Sequence, residues 1–318
     1  MTVIGESAGG GSIEHQITAY GGQGEVPFQQ AILQSPGFKP KPDFAEQEAI
    51  FQKTLSYASL VAGKKIATVH DLAALSFTEL FLTNYILVGT AAYGDFVFGP
   101  VVDGNIVPDL PGKLLIEGHF HHDLNVMVAY NSAEGLVFSS PFLQNTSDFD
   151  AYVQSLLPAA SPSVITYITE VLYPDTTHGA QGYETQLART SDFYGEFVFS
   201  CNTRYLDLAF KNKTYAYIFS VPPGLHESDV PYTFFNGDTT TVDDEYPVNA
   251  TIAIALQEYI TNFAITGSPN REAVNIPYFL PYGVNSLMIN LGFAGFGAEV
   301  IDEAANSRCA WWQQALYT

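Results

Sequence analysis

Short apolar runs recur along the chain at positions that predict buried β-strands. The clearest run covers 125–131, where asparagines flank a continuous apolar stretch. Shorter apolar runs lie within 2–4, 28–35, 214–220 and 286–290. Runs of this length, bounded by turn residues, are typical of strands that are covered on both faces of a sheet.

Stretches with the helical spacing of apolar residues separate these runs. In the first, 8–20, Ile13 and Ile17 stand four positions apart. The other predicted helical stretches are 43–92, 110–117, 148–211, 252–266 and 299–317, and 98–104 is predicted to be an extended, turn-rich segment. Strands that alternate with helices predict an α/β fold with a parallel sheet. Because no repeat or linker interrupts the pattern, we expect residues 1–318 to form a single domain.

The first strand run leads into Gly5-Glu6-Ser7-Ala8-Gly9, which has the G-x-S-x-G pattern of a nucleophile elbow. A serine on such a strand-to-helix turn lies in strained backbone, and we expect a side chain at Gly5 or Gly9 to collide with the turn. The helix N-terminus places Ser7 and the backbone N–H of Ala8 in a positive field that suits an oxyanion. The alternative is an ordinary Gly-Ser turn.

Two more residues of catalytic type follow strand runs. Glu134 comes soon after 125–131, and His226 comes soon after 214–220. Functional sites of open α/β sheets lie at the carboxyl ends of the strands, so we expect Ser7, Glu134 and His226 to meet there. Their order along the chain is that of the α/β-hydrolase fold. A solvated turn carboxylate and an ordinary loop histidine are the alternatives.

The composition excludes two classes of partner. The chain has 12 Lys and Arg against 33 Asp and Glu, which gives a formal net charge of −21. Such a field repels nucleic-acid phosphates and anionic lipid headgroups, so we predict neither as a partner. The 318 residues are 47% hydrophobic, enough for a large core. No apolar run approaches the ~18 residues of a membrane span, so we expect no transmembrane segment, and the N-terminal residues are not expected to act as a signal peptide.

Cysteines and glycosylation sequons bear on the compartment. Cys201 and Cys309 either form a disulfide or remain two buried thiols; in the chain-entropy model a bridge across this span contributes ~4–5 kcal/mol. N-x-S/T sequons stand at Asn145, Asn212 and Asn249. An acidic, lysine-poor chain fits secretion but is also common in the cytosol. The three sequons, together with a possible disulfide, favour a secreted full-length protein.

Two further groups of residues have competing interpretations. The cluster 119–122 contains three histidines, but it lacks matched cysteines or carboxylates, which favours a solvated loop over a metal site. We therefore predict neither a metal nor a cofactor. Aromatic residues near the expected site either line a substrate pocket or pack in the core: Phe138, Phe142, Tyr232, Phe234 and Phe235.

Five segments carry a resemblance to a known family: 5–10, 28–35, 131–135 with Phe138, 226–232 and 263–270. They resemble, in order and along nearly the whole chain, the type-B carboxylesterase/lipase family, which includes the cholinesterases, and above all its fungal members. The resemblance implies an α/β-hydrolase fold. It also implies a serine hydrolase that cleaves carboxylic esters, with apolar acyl esters or lipids as substrates, through an acyl-enzyme.

By this resemblance Ser7 is the nucleophile, His226 is the base and then the acid, and Glu134 is the acidic member of a triad. Glu6 would be a buried carboxylate near the histidine; the alternative is a charge that favours the helix dipole. The family also pairs cysteines like those at 201 and 309 in a disulfide.

Two residues around the triad have supporting roles in this interpretation. We expect Ser35 to buttress the triad rather than react, and Asp229 to fix a loop as a hydrogen-bond acceptor. Two positions depart from the family's pattern. Glu227 stands where many relatives have glycine, so we expect a different bend in that loop, whereas Ala133 in place of an acidic residue should be peripheral.

The family's oxyanion hole also uses an H-G-G-G-type loop upstream of the nucleophile. Because Ser7 is so near the start of this sequence, we expect a partial α/β-hydrolase fold, the C-terminal portion of an esterase without the early strands and that loop. The alternatives to an active hydrolase are a catalytically inactive fragment and a non-catalytic, cholinesterase-like interaction module. The sequence pattern predicts no particular oligomeric state.

Overall fold

The computed structural model describes residues 1–42, 44–175, 181–239, 242–243, 246–271 and 276–318. Its strands are β1 (Thr2–Glu6), β2 (Gln30–Gln34), β3 (Asn125–Asn131), β4 (Tyr215–Phe219), β5 (Val242–Asp243), β6 (Tyr246–Pro247), β7 (Leu287–Leu291) and β8 (Glu299–Ile301). Its α-helices are α1 (Ala8–Thr18), α2 (Phe44–Ala62), α3 (Val69–Ala73), α4 (Phe77–Gly89), α5 (Pro111–Glu117), α6 (Thr146–Leu156), α7 (Pro162–Tyr167), α8 (Gln186–Gly195), α9 (Cys201–Ala209), α10 (Val230–Thr233), α11 (Ala250–Thr266) and α12 (Ser307–Gln313).

The described strands build a main sheet in the order β1-β2-β3-β4-β7-β8. The first five of these run parallel, and β8 pairs antiparallel with β7. Parallel neighbours need crossover connections, and helices such as α1, between β1 and β2, supply them. The parallel strands therefore bring their carboxyl ends to one edge of the sheet, where the candidate residues follow.

Both faces of the sheet are covered, which explains the uninterrupted apolar runs. In β3, Val126 and Val128 join the larger apolar cluster on one face, together with Ile13 and Ile17 of α1. Met127 and Ala129 point to the other face and join a second cluster that contains residues of α11. Successive residues of a strand face opposite sides of the sheet, so a strand buried on both sides has no polar alternation.

The predicted strands at 28–35, 125–131, 214–220 and 286–290 are all confirmed, with ends that shift by one or two residues. The helical predictions for 8–20, 110–117 and 252–266 are also confirmed. Within 43–92 and 148–211 the described residues form several shorter helices, while residues 43 and 176–180 lie outside the described residues.

The prediction of one helix over 299–317 is wrong, because its first part is the strand β8. Gly295 and Gly297 both have positive φ angles, of 77° and 75°, and allow the chain to reverse after β7. The helix α12 starts only at Ser307, where the Asn306 side chain accepts a hydrogen bond from the Cys309 backbone N–H at 2.9 Å. The prediction of a wholly parallel sheet is wrong for the same strand.

Cys201 and Cys309 form a disulfide that joins the start of α9 to α12. Their Cα atoms lie 5.1 Å apart and both residues are buried. The bridge predicted from the family resemblance is therefore present. None of the helices that the structure describes combines the length and the apolar character needed to cross a membrane.

Candidate active site

Ser7 lies on the sharp turn between β1 and α1. Its φ of 54° and ψ of −120° are outside the regions that a serine adopts without strain. Backbone hydrogen bonds hold this conformation: Ser7 N–H donates to the Gln34 carbonyl at 3.0 Å, and the Ser7 carbonyl accepts from Gly11 N–H and Gly37 N–H, both at 2.9 Å. The side chain is therefore fixed at the carboxyl edge of the sheet.

Close packing explains one of the two motif glycines. A Cβ at Gly5 would lie 2.4 Å from the backbone carbon of Gly9, so the prediction of a collision is confirmed there. At Gly9 itself that prediction is wrong, because a Cβ would meet no described atom within 4 Å. The tight position after the serine is instead Gly10, where a Cβ would come within 2.9 Å of the Pro36 Cα.

A chain of hydrogen bonds links the three residues that follow the strand ends. His226 Nε2 lies 2.8 Å from Ser7 Oγ, and His226 Nδ1 lies 2.5 Å from Glu134 Oε2. The loops that carry the histidine and the glutamate are tied to each other, because the Ala133 N–H donates to the Gly224 carbonyl at 2.8 Å. The structure thus brings together all three residues that the sequence analysis singled out.

Glu134 is buried, and the carboxylate oxygen that does not face the imidazole, Oε1, also accepts hydrogen bonds. Oε1 accepts hydrogen bonds from Ser35 Oγ at 2.6 Å and from the Asn131 backbone N–H at 2.5 Å. Asn131 Nδ2 also donates to Ser35 Oγ at 3.1 Å. These donors fix the carboxylate so that Oε2 faces the imidazole, and Ser35 occupies the supporting position predicted for it.

A second buried carboxylate, that of Asp229, is linked to the site through Asn131. It accepts hydrogen bonds from the Tyr217 hydroxyl at 2.7 Å and from Gln34 Nε2 at 3.0 Å, with Asn131 Nδ2 at 3.4 Å. Burial is the main cause that raises the pKa of Asp229. The contacts are those of a loop-fixing acceptor. No role was predicted for Gln34, Asn131 or Tyr217. Their only signal in the sequence is a polar or hydroxylated side chain within a strand run.

The His226 imidazole lies in a mixed aromatic and acidic environment. Its ring centroid is 4.2 Å from that of Phe199 and 5.2 Å from that of Phe138, which meets it edge-on. Burial works to lower the pKa of His226, but the hydrogen bond and charge of Glu134, helped by Glu6 and Glu227, outweigh burial and raise it.

Glu6 Oε1 lies 3.3 Å from His226 Nε2, and burial raises the pKa of Glu6 to about 8. Ligand atoms of Glu6, His226 and Glu227 fall within 4.8 Å of one another, a spacing that could hold a cation. However, one imidazole nitrogen is hydrogen-bonded to Ser7 and the other to Glu134, so neither is free to bind a metal. The donor set fits a proton-transfer site.

Glu227 occupies a backbone conformation that glycine adopts at little cost. Its φ is 75°, in the left-handed region. The loop therefore makes a glycine-type bend with a glutamate at this position.

A match to known proteins places this site in a family. The model of the carboxylesterase family matches residues 1–312. The chain belongs to the carboxylesterase family. A carboxylesterase patB from Aspergillus clavatus is 36% identical over the whole chain, which spans 55% of that relative. A secreted lipase from Arthroderma benhamiae is 27% identical over 99% of the chain, which spans 60% of it.

Among solved structures, Aspergillus niger EstA matches 98% of the chain with a TM-score of 0.79 at 21% identity, and the match covers 63% of EstA. This similarity shows the fold, and with the sheet described above it confirms a partial α/β-hydrolase fold. The chain spans little more than half the length of the curated relatives it matches.

The aromatic residues predicted near the site of this carboxylesterase-family chain differ in their surroundings. Phe138 contacts the imidazole, whereas Tyr232 is buried against Phe219, and Phe142 and Phe234 are exposed. Phe235 is partly buried against the second apolar cluster. Only Phe138 of these aromatic residues therefore contacts the hydrogen-bonded chain directly.

The sequons and the histidine cluster lie away from the site. Asn145 and Asn249 cap the N-termini of α6 and α11, and Asn212 is half-buried in a turn with a φ of 58°. In the cluster 119–122, Phe120 is buried, and His122 Nε2 lies 3.2 Å from the Gly118 carbonyl. Within the described residues no group of metal-ligating side chains includes these histidines.

Proposed function

We propose that this chain is the part of a carboxylic ester hydrolase that carries a Ser7–His226–Glu134 triad, with residues 1–318 acting as one α/β-hydrolase domain. The observation that carries the proposal is the hydrogen-bonded chain itself, with 2.8 Å from Ser7 Oγ to His226 Nε2 and 2.5 Å from Nδ1 to Glu134 Oε2. Its members come from three different strand ends, which only the folded sheet brings together. Family membership supports ester hydrolysis as the reaction class.

In the first half-reaction Ser7 Oγ attacks the ester carbonyl carbon. The O–H proton passes to His226 Nε2 as the new C–O bond forms, and the carbonyl oxygen becomes an oxyanion. Glu134 holds the imidazole in the tautomer with hydrogen on Nδ1 and stabilises its cation. The alcohol then leaves with the proton from His226 Nε2, and the acyl group remains on Ser7.

The Ala8 backbone N–H supports the oxyanion in this proposal. It is in the first turn of α1, where backbone N–H groups have no acceptor inside the helix. Such a donor aimed at a developing charge typically contributes ~10²–10³ in turnover.

In the second half-reaction water takes the place of serine. His226 accepts a proton from water as the oxygen attacks the acyl carbon, and it returns the proton to Ser7 Oγ as the acyl–serine bond breaks. The products are a carboxylic acid and the regenerated serine. The apolar cavity beside Ser7, described below, supports apolar acyl esters or lipids as substrates.

We also infer that the protein works outside the cell. The Cys201–Cys309 disulfide is stable in oxidising compartments, and one relative is named a secreted lipase. Secretion of the full-length protein from its native host, followed by mass spectrometry of the culture medium, tests this inference. Detection only inside the cell contradicts it.

The proposed reaction is tested by combining an active-site label with turnover. The purified chain should hydrolyse a p-nitrophenyl ester, and an organophosphate should add one group to the peptide that contains Ser7. The Ser7→Ala variant should lose both. Ser155→Ala is the matched control, because Ser155 is exposed on α6, is not part of this site, and its hydroxyl likewise donates to a backbone carbonyl, that of Tyr152. Absence of both label and turnover in the unaltered chain would support a non-catalytic module and overturn the proposal.

A further inference from the structure

A cavity of about 340 Å³ lies beside Ser7, between α1 and the segment 95–100. Ser7, at the N-cap of α1, and Gly11 and His15 within the helix line the cavity at four-residue intervals, so they share a face of the helix. The lining also includes Val88 and Phe96. The cavity is therefore an apolar space that starts at the candidate nucleophile and follows the helix.

A glycine lets a neighbouring segment pack closely against α1 beside the cavity. A Cβ at Gly11 would lie 2.5 Å from the carbonyl oxygen of Gly37, so only glycine lets that segment lie against α1. The next residue, Phe38, then meets the His15 ring edge-on at a centroid distance of 4.6 Å. The histidine is thereby held at the cavity wall.

The hydrogen bond of His15 determines which ring nitrogen carries the hydrogen and which one is the acceptor. Nδ1 lies 2.8 Å from the Gly11 carbonyl oxygen, which can only accept, so Nδ1 carries the hydrogen. Burial lowers the pKa of His15, against the opposing effect of that hydrogen bond, and keeps the ring neutral at pH 7. Nε2 is then an acceptor, and within the described part of the chain it has no hydrogen-bond partner.

The other polar side chains of the cavity wall already have partners. Ser12 Oγ donates to the Ala8 carbonyl at 2.7 Å. Lys39 Nζ pairs with Asp95 at 2.9 Å and with Glu46 at 3.1 Å. The imidazole acceptor of His15 is thus a polar feature in a mainly apolar wall and is open to a donor from a ligand.

We propose that the cavity is a subsite for an ester chain bearing a hydroxyl group, whose hydrogen bond His15 Nε2 accepts. The proposal rests on the proposed function, because it takes Ser7 as the point of attack. Eight residues of helix separate Ser7 from His15, a rise of about 12 Å. An extended chain advances about 1.2 Å per bond, so the hydroxyl would stand roughly eight to ten bonds from the ester carbonyl.

Binding to the Ser7→Ala variant tests this subsite without turnover. Two pairs of neutral esters place the hydroxyl on either side of the ester: ethyl ω-hydroxynonanoate against ethyl nonanoate, and ω-hydroxyheptyl acetate against heptyl acetate. We expect calorimetry to show that the hydroxylated ester of at least one pair binds about two- to tenfold more tightly, the range of one hydrogen bond. Without an acceptor the sign reverses, because a buried, unpaired hydroxyl costs affinity.

His15 variants in the same background decide whether that residue is the acceptor. His15→Phe keeps a ring beside Phe38 but removes the acceptor, and should abolish or reverse the preference. His15→Gln retains a carbonyl acceptor and should keep part of it. Gln16→Ala, an exposed neighbour on α1, should leave the preference unchanged.

Two results overturn the subsite: no preference in either pair, or a preference that survives in His15→Phe. Esterase activity of the unaltered chain with either result overturns the subsite alone. A preference that depends on His15 in a chain without esterase activity overturns the proposed reaction alone.

Discussion

Glu6 Oε1 lies 3.3 Å from His226 Nε2, the nitrogen that also faces Ser7 Oγ at 2.8 Å. Both oxygens lie close to the same imidazole nitrogen, so the protonation state of Glu6 acts directly on the proposed base. Burial raises the pKa of Glu6 to about 8, which makes it a neutral acid at pH 7 and an anion above pH 8.

The first prediction is that Glu6→Gln removes an inflection of the pH profile near pH 8 and leaves the acid limb nearly in place. With a pKa of about 8, Glu6 carries no charge over the acid limb, so the neutral amide changes little there. Above pH 8 the Glu6 carboxylate favours the imidazolium over the free base, and the inflection of kcat/KM from this ionisation should disappear in the variant. The measurement is kcat/KM of a p-nitrophenyl ester between pH 5 and 10. Glu48→Gln on the exposed side of α2 is the control, and an identical profile in both variants contradicts the prediction.

The second prediction concerns Glu134→Gln. The amide cannot stabilise the imidazolium and disfavours the tautomer with hydrogen on Nδ1, so we expect kcat to fall by roughly 10³–10⁴. The acid limb should move down as well, because Glu134 is the main cause that raises the pKa of His226. Circular dichroism at the assay temperature separates this effect from unfolding. A folded variant with kcat within tenfold of the parent would exclude the proposed role.

Much of the candidate site could be predicted from sequence because its members follow recognisable local signals. Ser7 stands in a glycine-flanked turn, and Glu134 and His226 each follow an apolar run, so strand-end geometry suffices to bring them together. The residues that hold them could not be assigned in this way. Gln34 and Tyr217 meet Asp229 only because β2 and β4 lie on either side of β3. The order of strands across a sheet cannot be predicted from the spacing of apolar residues within each strand.

The fold shows the same division. The strands β2, β3, β4 and β7 were predicted because burial on both faces leaves an unmistakable apolar run. The strand β8 was missed because it lies at the edge of the sheet, with Glu299 and Ile301 exposed, and so has no such run. The sequence also did not show which glycine is tightly packed. Glycine is required at position 10 rather than 9 because Pro36, which follows β2, lies against position 10.

The third prediction is that Asp229→Asn destabilises the fold. The carboxylate accepts from three donors, and an amide nitrogen in its place would face one of them and leave it unpaired. We expect a loss of about 1–3 kcal/mol in the free energy of unfolding, measured with urea. The kcat of the folded fraction should fall less than in Glu134→Gln, because Asp229 acts through neighbours. Unchanged stability would show that these hydrogen bonds contribute nothing net.

The fourth prediction concerns Glu14 on α1, whose carboxylate is buried and whose two oxygens have no hydrogen-bond partner among the described residues. Burial raises its pKa well above the usual 4.5, so the folded chain holds a proton that the unfolded chain releases. The Glu14 contribution to stability is therefore greatest below about pH 4.5 and is lost as the pH rises. Glu14→Gln should gain stability over the parent by roughly 1–3 kcal/mol at pH 8 but not at pH 4.5. Unfolding curves at both values, with exposed Glu25→Gln as control, check this; a pH-independent difference would contradict it.

The last prediction concerns the bridge between α9 and α12. Cys201 and Cys309 are 108 positions apart, so the disulfide removes a large amount of chain entropy from the unfolded state. In the double variant Cys201→Ala/Cys309→Ala we expect the free energy of unfolding to fall by about 4–5 kcal/mol, measured in urea under oxidising conditions. Reduction of the parent chain should reproduce the loss, while the double variant should be insensitive to the reductant. A parent chain that is equally stable with and without reductant would show that the bridge adds no net stability.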